Sequence, residues 1–221
     1  MMEVSLPSHG NEVKVGKVLC IGRNYANHAA EMHNAVPEKP LVFLKPSTAL
    51  VGNGGTVLLP AESQCVHHEI ELVVVIGGGG RHIALDEAIE HVDAYAVGLD
   101  ITARDLQTEA KNHGHPWSIS KGYDTFAPLG PLVDKRKVPD PHGLDIELMV
   151  NGERRQFGHT ADMLFGIPRL VSYCSSIFTL LPGDLIYTGT PEGVGQIENG
   201  DNLEAHITGF PSLRVKVRRE A

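Results

Sequence analysis

Glu69 and Glu71 stand two positions apart at the entrance of an apolar run, His67-His68-Glu69-Ile70-Glu71-Leu72-Val73-Val74-Val75-Ile76-Gly77. In a β-strand, residues i and i+2 share a face and lie about 6.5 to 7 Å apart, so both carboxylates would point the same way. At an effective dielectric of about 20, two such anions repel by roughly 2 kcal/mol, and partial burial against the Val/Ile run adds desolvation. A bound divalent cation offsets this, and carboxylate oxygens suit a hard ion: Mg²⁺ or Mn²⁺, with Ca²⁺ as a possible substitute. A pair facing solvent on an edge strand needs no such ion. Asp100, at the mouth of a second apolar run, supplies a third carboxylate and favours the cation: three oxygen ligands, with positions open for substrate and water.

The neighbouring histidines do not extend this set. A zinc helix of the H-E-x-x-H type fails because Leu72 stands four residues after His68, and an H-x-H pair is absent. His28 and Glu31, at i and i+3, could form a general-base dyad in which the carboxylate orients the imidazole; an ordinary exposed helix pair has the same spacing. Arg104 and Gln107 could aim donors at a developing oxyanion, and Lys121 could add a charge, although each also suits a solvated surface. The Thr188 to Gly195 loop could bind a carboxylate through backbone amides but lacks the Gly-Lys-Ser/Thr ending of a P-loop.

The elements that must position these groups are mostly strands. Strand signals fall at Lys17 to Gly22, Leu41 to Leu44, Thr56 to Leu59, the carboxylate run, and Ala94 to Ile101. Arg23 to His33 reads as a short helix with Asn24 as a possible cap, Leu85 to His91 as another, and Ala103 to Asn112 as a helix capped by Thr102. Trp117 to Lys121 reads as extended and Phe126 to Pro131 as a loop. Asn151-Gly152 between Asp145 to Val150 and Glu153 to Phe157 is the strongest hairpin signal. Met163 to Ser175 reads as a helix interrupted near Pro168, Leu185 to Tyr187 as a strand, and Leu203 to Ile207 with Leu213 to Val217 as a closing β pair.

Composition narrows the partners. At 221 residues and 42% hydrophobic content the chain can bury a sizeable core, and its net charge of -8 argues against nucleic acid. Cys20, Cys65 and Cys174 are too few and too scattered for a disulfide framework, which suits a reducing cytoplasmic setting. The polar start and the short aliphatic run Leu72 to Ile76 predict neither an export signal nor a membrane span.

In order along the chain, Gly22-Arg23-Asn24-Tyr25, His28 with Glu31, Phe43-Leu44-Lys45-Pro46, His67-His68-Glu69-Ile70-Glu71, Leu99-Asp100-Ile101-Thr102-Ala103-Arg104-Asp105, Pro116-Trp117, Lys121, Val150-Asn151-Gly152-Glu153 and Leu185 to Gly195 resemble the fumarylacetoacetate hydrolase family. The resemblance runs from about residue 18 to 203 and is nearest the short acylpyruvase and oxaloacetate decarboxylase members. It implies an α+β, β-rich fold of mixed β-roll or β-sandwich-like form with short inserted helices, in which residues 1–16 are an N-terminal segment and 17–221 a single catalytic domain. It implies a homodimer, Mg²⁺ or Mn²⁺ on Glu69, Glu71 and Asp100, and a small 2-oxo acid substrate. His28 and Glu31 would be a water-activating dyad on a mobile lid, Arg104, Gln107 and Lys121 would face the substrate, and Arg23, Tyr25 and Thr190 would bind it. The implied reaction is metal-dependent hydrolysis of a C-C bond in a 2,4-dioxo acid, with oxaloacetate decarboxylation beside it. Isomerisation or decarboxylation of hydroxymuconate-type intermediates is the alternative, and a non-catalytic metal-stabilised binding protein is the rival outside enzymes.

Overall fold

The run Ile70–Ile76 is apolar at almost every position because it is buried on both faces. Leu72, Val74 and Ile76 point into one core, while Val73 and Val75 point into a second. The computed structural model describes residues 2–8, 10–32 and 35–220, and among them this strand lies near the middle of an eight-stranded mixed sheet. Its order is Leu41–Lys45, Val18–Gly22, Leu185–Tyr187, Ile70–Ile76, Val92–Leu99, Ala127–Leu129 and Leu50–Gly52, with Val133–Asp134 also on Val92–Leu99.

A five-stranded sheet carries the Asn-Gly hairpin, in the order Glu153–His159, Asp145–Val150, Asn202–Ile207, Leu213–Arg219 and Thr56–Leu59. The larger core brings together Leu72, Val74 and Val97 of the first sheet and Ile146, Leu148 and Leu203 of the second. The smaller core takes Val73, Val75 and Cys20 with Val4, Leu6 and Val15 of the N-terminal segment, where Glu3–Ser5 pairs with Glu12–Lys14. A three-stranded sheet, Thr102–Ala103, Val66–His68 and Gly195–Gln196, sits beside the site. The fold is β-rich, with four short α-helices among the described residues: α1 (Ala26–Glu31), α2 (Arg104–His113), α3 (Ser118–Gly122) and α4 (Ile167–Ile177). None of the helices is long and apolar enough to cross a membrane.

The hairpin and the closing β pair form as their turn chemistry predicts, with Asn151 and Gly152 at φ 53 and 81°. Several local expectations are overturned by tertiary partners. The run from His67 is not one strand: Val66–His68 belongs to the small sheet, Glu69 is the break, and Ile70–Ile76 belongs to the large one. Asn24 caps no helix; its buried amide donates to the carbonyls of Thr188 (2.7 Å) and Phe165 (3.1 Å), and its oxygen accepts the Phe165 amide (2.8 Å). His33, the last residue of that expected helix, lies outside the described residues. Thr102 is in a strand and donates to the Asp100 carbonyl, leaving Ala103 at the start of α2. Trp117 to Lys121 is largely the helix α3 rather than extended, and Ala127–Leu129 is a strand because Leu50–Gly52 and Val92–Leu99 flank it. Leu85 to His91 shrinks to a 3₁₀ turn at Ala88–His91. Pro168 opens α4 from its first turn instead of interrupting it, since a proline there forgoes no helical hydrogen bond.

Close packing of the two strands that carry the acidic groups depends on Gly98, where a Cβ would run into Val73 Cγ2 and approach the Tyr187 ring at 2.7 Å. Gly98→Ala therefore overpacks the sheet, and urea unfolding should show a loss of about 1–3 kcal/mol.

Candidate active site and metal centre

The break at Glu69 aligns the acids. Ile70 faces Leu99 and Glu71 faces Gly98 across the antiparallel pair. One step further, the Asp100 amide donates to the Glu69 carbonyl at 2.8 Å. The Glu69, Glu71 and Asp100 side chains are buried, and one carboxylate oxygen from each lies within 4.8 Å of the others. Glu71 Oε2 accepts the Gly189 amide at 2.7 Å. Gly189 is required there: its φ is +99°, and a Cβ would come within 2.7 Å of Asn24 Cβ.

Cations surround the acids. Lys121 Nζ donates to Glu69 Oε2 (2.9 Å) and Asp100 Oδ2 (2.7 Å), and Arg104 pairs with Glu69 Oε1. Arg104 also donates to Gln107 Oε1 at 2.6 Å. Lys45 lies 2.8 Å from Asp100 Oδ1, but its hydrogen bonds go to the carbonyls of Ile101 (2.9 Å) and Lys121 (2.6 Å). Asp100 Oδ1 thus remains buried without a hydrogen bond among the described residues, held only by the Lys45 ion pair.

This electrostatic balance is uneven. Burial pushes the Glu69 carboxyl up, but Lys121 and Arg104 outweigh it and hold it below the usual range. Glu71 has no such cation in contact among the described residues, and burial together with the charges of Asp100 and Glu69 raises its pKa well above the ordinary value. An anion so disfavoured, a carboxylate oxygen without a hydrogen bond and an all-oxygen donor set fit a hard divalent ion, so the triad is able to bind a metal.

The acids line a small cleft. Arg23, His28, Arg104, Gln107, Lys121 and Thr190 line it too, so residues far apart in sequence meet here. His28 is buried on α1, and its Nδ1 lies 3.5 Å from Glu31 Oε2, outside hydrogen-bond geometry. The Glu31 carboxylate instead accepts the Gly193 amide at 3.1 and 3.2 Å. Tyr25 does not line this cleft; its hydroxyl is buried without a hydrogen-bond partner among the described residues. His68 and His67 face other groups: His68 Nδ1 meets Gln156 Oε1 at 2.9 Å, and His67 Nε2 meets Cys65 Sγ at 3.3 Å.

Gln156 went unread in the sequence. Its oxygen accepts the Ile70 amide (3.1 Å) at the strand break, and its NH₂ donates to Thr190 Oγ1 (2.9 Å) and the Pro191 carbonyl (3.0 Å). Simple alternation would send Phe157 inward, but a bulge opposite Leu148 and Met149 skips Arg155 and buries Gln156 while half-exposing Phe157. The signal was an uncharged amide directly after the charged run Glu153-Arg154-Arg155. Lys45 was legible only as part of a motif, and nothing local assigned it a role.

Gln156→Leu leaves the Ile70 amide and the Pro191 carbonyl without these partners. It should cost about 2–4 kcal/mol in urea unfolding and weaken Mn²⁺ affinity by about tenfold in calorimetric titration, because the Glu69 backbone is no longer held.

Comparison with known proteins shows the family. The fumarylacetoacetate (FAA) hydrolase C-terminal family model matches residues 17–218. The mitochondrial oxaloacetate tautomerase FAHD1 of Arabidopsis thaliana is 48% identical over 203 residues, covering 92% of this chain and 91% of that protein. The fumarylpyruvate hydrolase of Pseudomonas aeruginosa, solved in complex with Mn²⁺ and pyruvate, superimposes with a TM-score of 0.92 at 42% identity, covering 99% of this chain and 96% of that one. The 5-carboxymethyl-2-hydroxymuconate delta-isomerase of Mycobacterium smegmatis gives 0.86 at 42% identity, with 95% and 81% covered. With a family model spanning nearly its whole length and these enzymes as relatives, the chain belongs to the fumarylacetoacetate hydrolase family.

Proposed function

We propose that this chain is a metal-dependent hydrolase of a C-C bond in 2,4-dioxo acids, the acylpyruvates. The observation that carries the reading is the convergence of three buried carboxylates on a cleft also lined by a buried histidine and by Arg104, Gln107 and Lys121. The Mn²⁺ and pyruvate of the Pseudomonas aeruginosa relative support it. Glu69, Glu71 and Asp100 would hold Mg²⁺ or Mn²⁺, which when bound draws electron density from the substrate's carboxylate and 2-oxo group.

The protein's own groups supply the rest. Thr190 accepts from Gln156, so its hydroxyl hydrogen is free to donate to a substrate carboxylate. Burial pulls the His28 pKa below its ordinary 6.5, which keeps the imidazole neutral near pH 7 and able to take a proton from water. Glu31 stands close enough to orient that ring once the site is filled. Hydroxide adds to the C4 carbonyl, and donors from Arg104, Gln107 and Lys121 steady the oxyanion. The C3-C4 bond then breaks, its electron pair stays with the pyruvate half, and that carbon takes a proton. Acylpyruvate and water thus become pyruvate and a carboxylic acid.

Proton transfer on oxaloacetate is the second reading, favoured by the Arabidopsis relative at 48% identity, since the same electron-withdrawing site eases enol formation. Turnover of acetylpyruvate against keto-enol exchange and decarboxylation of oxaloacetate separates the two. A homodimer in the cytoplasm completes the proposal, with mitochondria as the other compartment suggested by that relative's name.

Two measurements test it. Glu71→Gln should weaken Mn²⁺ binding at least tenfold by calorimetry, whereas His28→Asn should keep metal affinity and lower acylpyruvate hydrolysis by about 10²- to 10⁴-fold; a His28→Asn enzyme of normal rate refutes the dyad. Because His28 must be neutral and burial lowers its pKa, the acid limb of kcat/KM should have its midpoint below 6.5 and vanish in that variant.

A further inference from the structure

Lys45 ends the strand Leu41–Lys45 at the margin of the large sheet, its side chain is wholly out of solvent, and it does not line the cleft. Sheltering an ammonium so completely is costly unless its charge and its hydrogens are put to use, and a neutral side chain of the same length would fill the space without that cost. Its Nζ donates to the carbonyls of Ile101 (2.9 Å) and Lys121 (2.6 Å), stands 2.8 Å from Asp100 Oδ1, and lies 5.6 Å from the centroid of the Phe126 ring. One nitrogen thus joins three segments: the end of its own strand, the chain just after Asp100, and the end of α3.

Each of these contacts bears on a group that does line the cleft. The Lys121 carbonyl belongs to the last turn of α3, where carbonyls have no partner within the helix, and Lys45 supplies the donor. At five residues α3 is far too short to keep its form unaided, so such an anchor decides whether Lys121 sits on a helix at all. On the other side Ile101 follows Asp100 directly; its amide donates to the Phe126 carbonyl at 3.0 Å while its own carbonyl takes Lys45. The Asp100 carboxylate is then held at both oxygens, by Lys45 at Oδ1 and by the Lys121 ammonium at Oδ2 (2.7 Å). The backbone of Lys121 and the carboxylate that its side chain grips are therefore tied to the same nitrogen.

We propose that Lys45 is a positioning residue: without touching the substrate, it fixes where the Lys121 ammonium is presented and how the Asp100 carboxylate is turned toward an ion. This assignment rests on the reading above of the acids as a metal site and of Lys121 as a donor to the substrate. The competing role is that of a plain counter-ion to the acids, and the two roles differ in sign. A counter-ion opposes the entry of a divalent cation, so its removal tightens metal binding. A positioning group behind the ligands supports that binding, so its removal loosens the metal and unsettles Lys121 as well.

The test is calorimetric titration with Mn²⁺, followed by pyruvate on the loaded protein, for the unsubstituted chain, Lys45→Met, Lys121→Met and the double variant, each first shown by urea unfolding to be folded. Lys45→Met should weaken Mn²⁺ binding by about fivefold or more; unchanged or tighter binding overturns the proposal in favour of the counter-ion. The same substitution should weaken pyruvate by about tenfold when Lys121 is present and by less than about twofold when Lys121 is already methionine. Equal losses in the two backgrounds overturn an action through Lys121. Lys45→Arg, which restores the charge and the N-H donors, should recover most of the Mn²⁺ affinity; an arginine as weak as the methionine assigns the effect to packing and overturns the proposal too. Lys45→Gln, with amide hydrogens for the two carbonyls and no charge, takes the place of Lys45→Met if that variant does not fold, with the same outcomes. These titrations do not depend on turnover: a protein that hydrolyses no acylpyruvate but shows the expected losses overturns the hydrolase reading and leaves the role of Lys45 standing, whereas an unsubstituted protein that binds no Mn²⁺ overturns both.

Discussion

Three carboxylates held within 4.8 Å of one another, out of water, are the constraint to which the rest of the molecule answers. Left alone such a cluster would protonate or pull the sheet apart, because repulsion rises as the dielectric falls. The protein sets Lys45, Lys121 and Arg104 against Glu69 and Asp100, and leaves Glu71 with little more than the Gly189 amide. That uneven compensation, which keeps one buried acid without a cation in contact among the described residues, is what makes the cluster able to hold an ion.

Precision of this kind needs stiff supports. Glu71 projects from a strand buried on both faces, and the Asp100 backbone is tied to that of Glu69 where the chain passes from one sheet to another. A strand break in the interior exposes peptide groups, and the Gln156 amide covers them while also reaching the loop that carries Thr190. Asn24 performs a similar task on the other side, tying the segment before α1 to the backbone at Thr188 and Phe165. Two buried amides therefore fasten the acidic triad, the segment before α1 and the Thr190 loop into one frame. Each is fully hydrogen-bonded, the condition under which a polar interior rigidifies a site instead of weakening it.

The other half of the cleft is tuned by charge. Lys121 bridges two of the acids, so its ammonium is fixed rather than free, and the paired anions raise its pKa against the effect of burial. His28 is moved the opposite way by burial and stays neutral. An obligate cation and a neutral imidazole in one cleft are the complementary pair that acid and base chemistry at neutral pH requires. Relatives named for hydrolysis, tautomerisation and isomerisation belong with this chain in one family, so membership alone does not fix which bond reacts.

Much of this was readable from residue order. The acids announced themselves because E-x-E at the mouth of an aliphatic run is electrostatically odd, Asn151-Gly152 declared its turn through positive φ, and continuous Val/Ile runs meant burial on both faces. Long-range partners decided what pattern alone could not. Asn24 and Thr102 have the chemistry of helix caps but find better acceptors in distant or bent backbone. Trp117 to Lys121 has no strong local preference, and its helical form is what brings the Lys121 ammonium to Glu69 and Asp100. A bulge turned Gln156 inward against the alternation of its strand, and the face of α2 that meets the cleft gathered Lys111 with Arg104 and Gln107. Residue types thus set which chemistry was available, through charge and hydrophobic period. Where each group points was left to sheet exchange, bulges and packing, because those depend on contacts between segments that lie far apart in the chain.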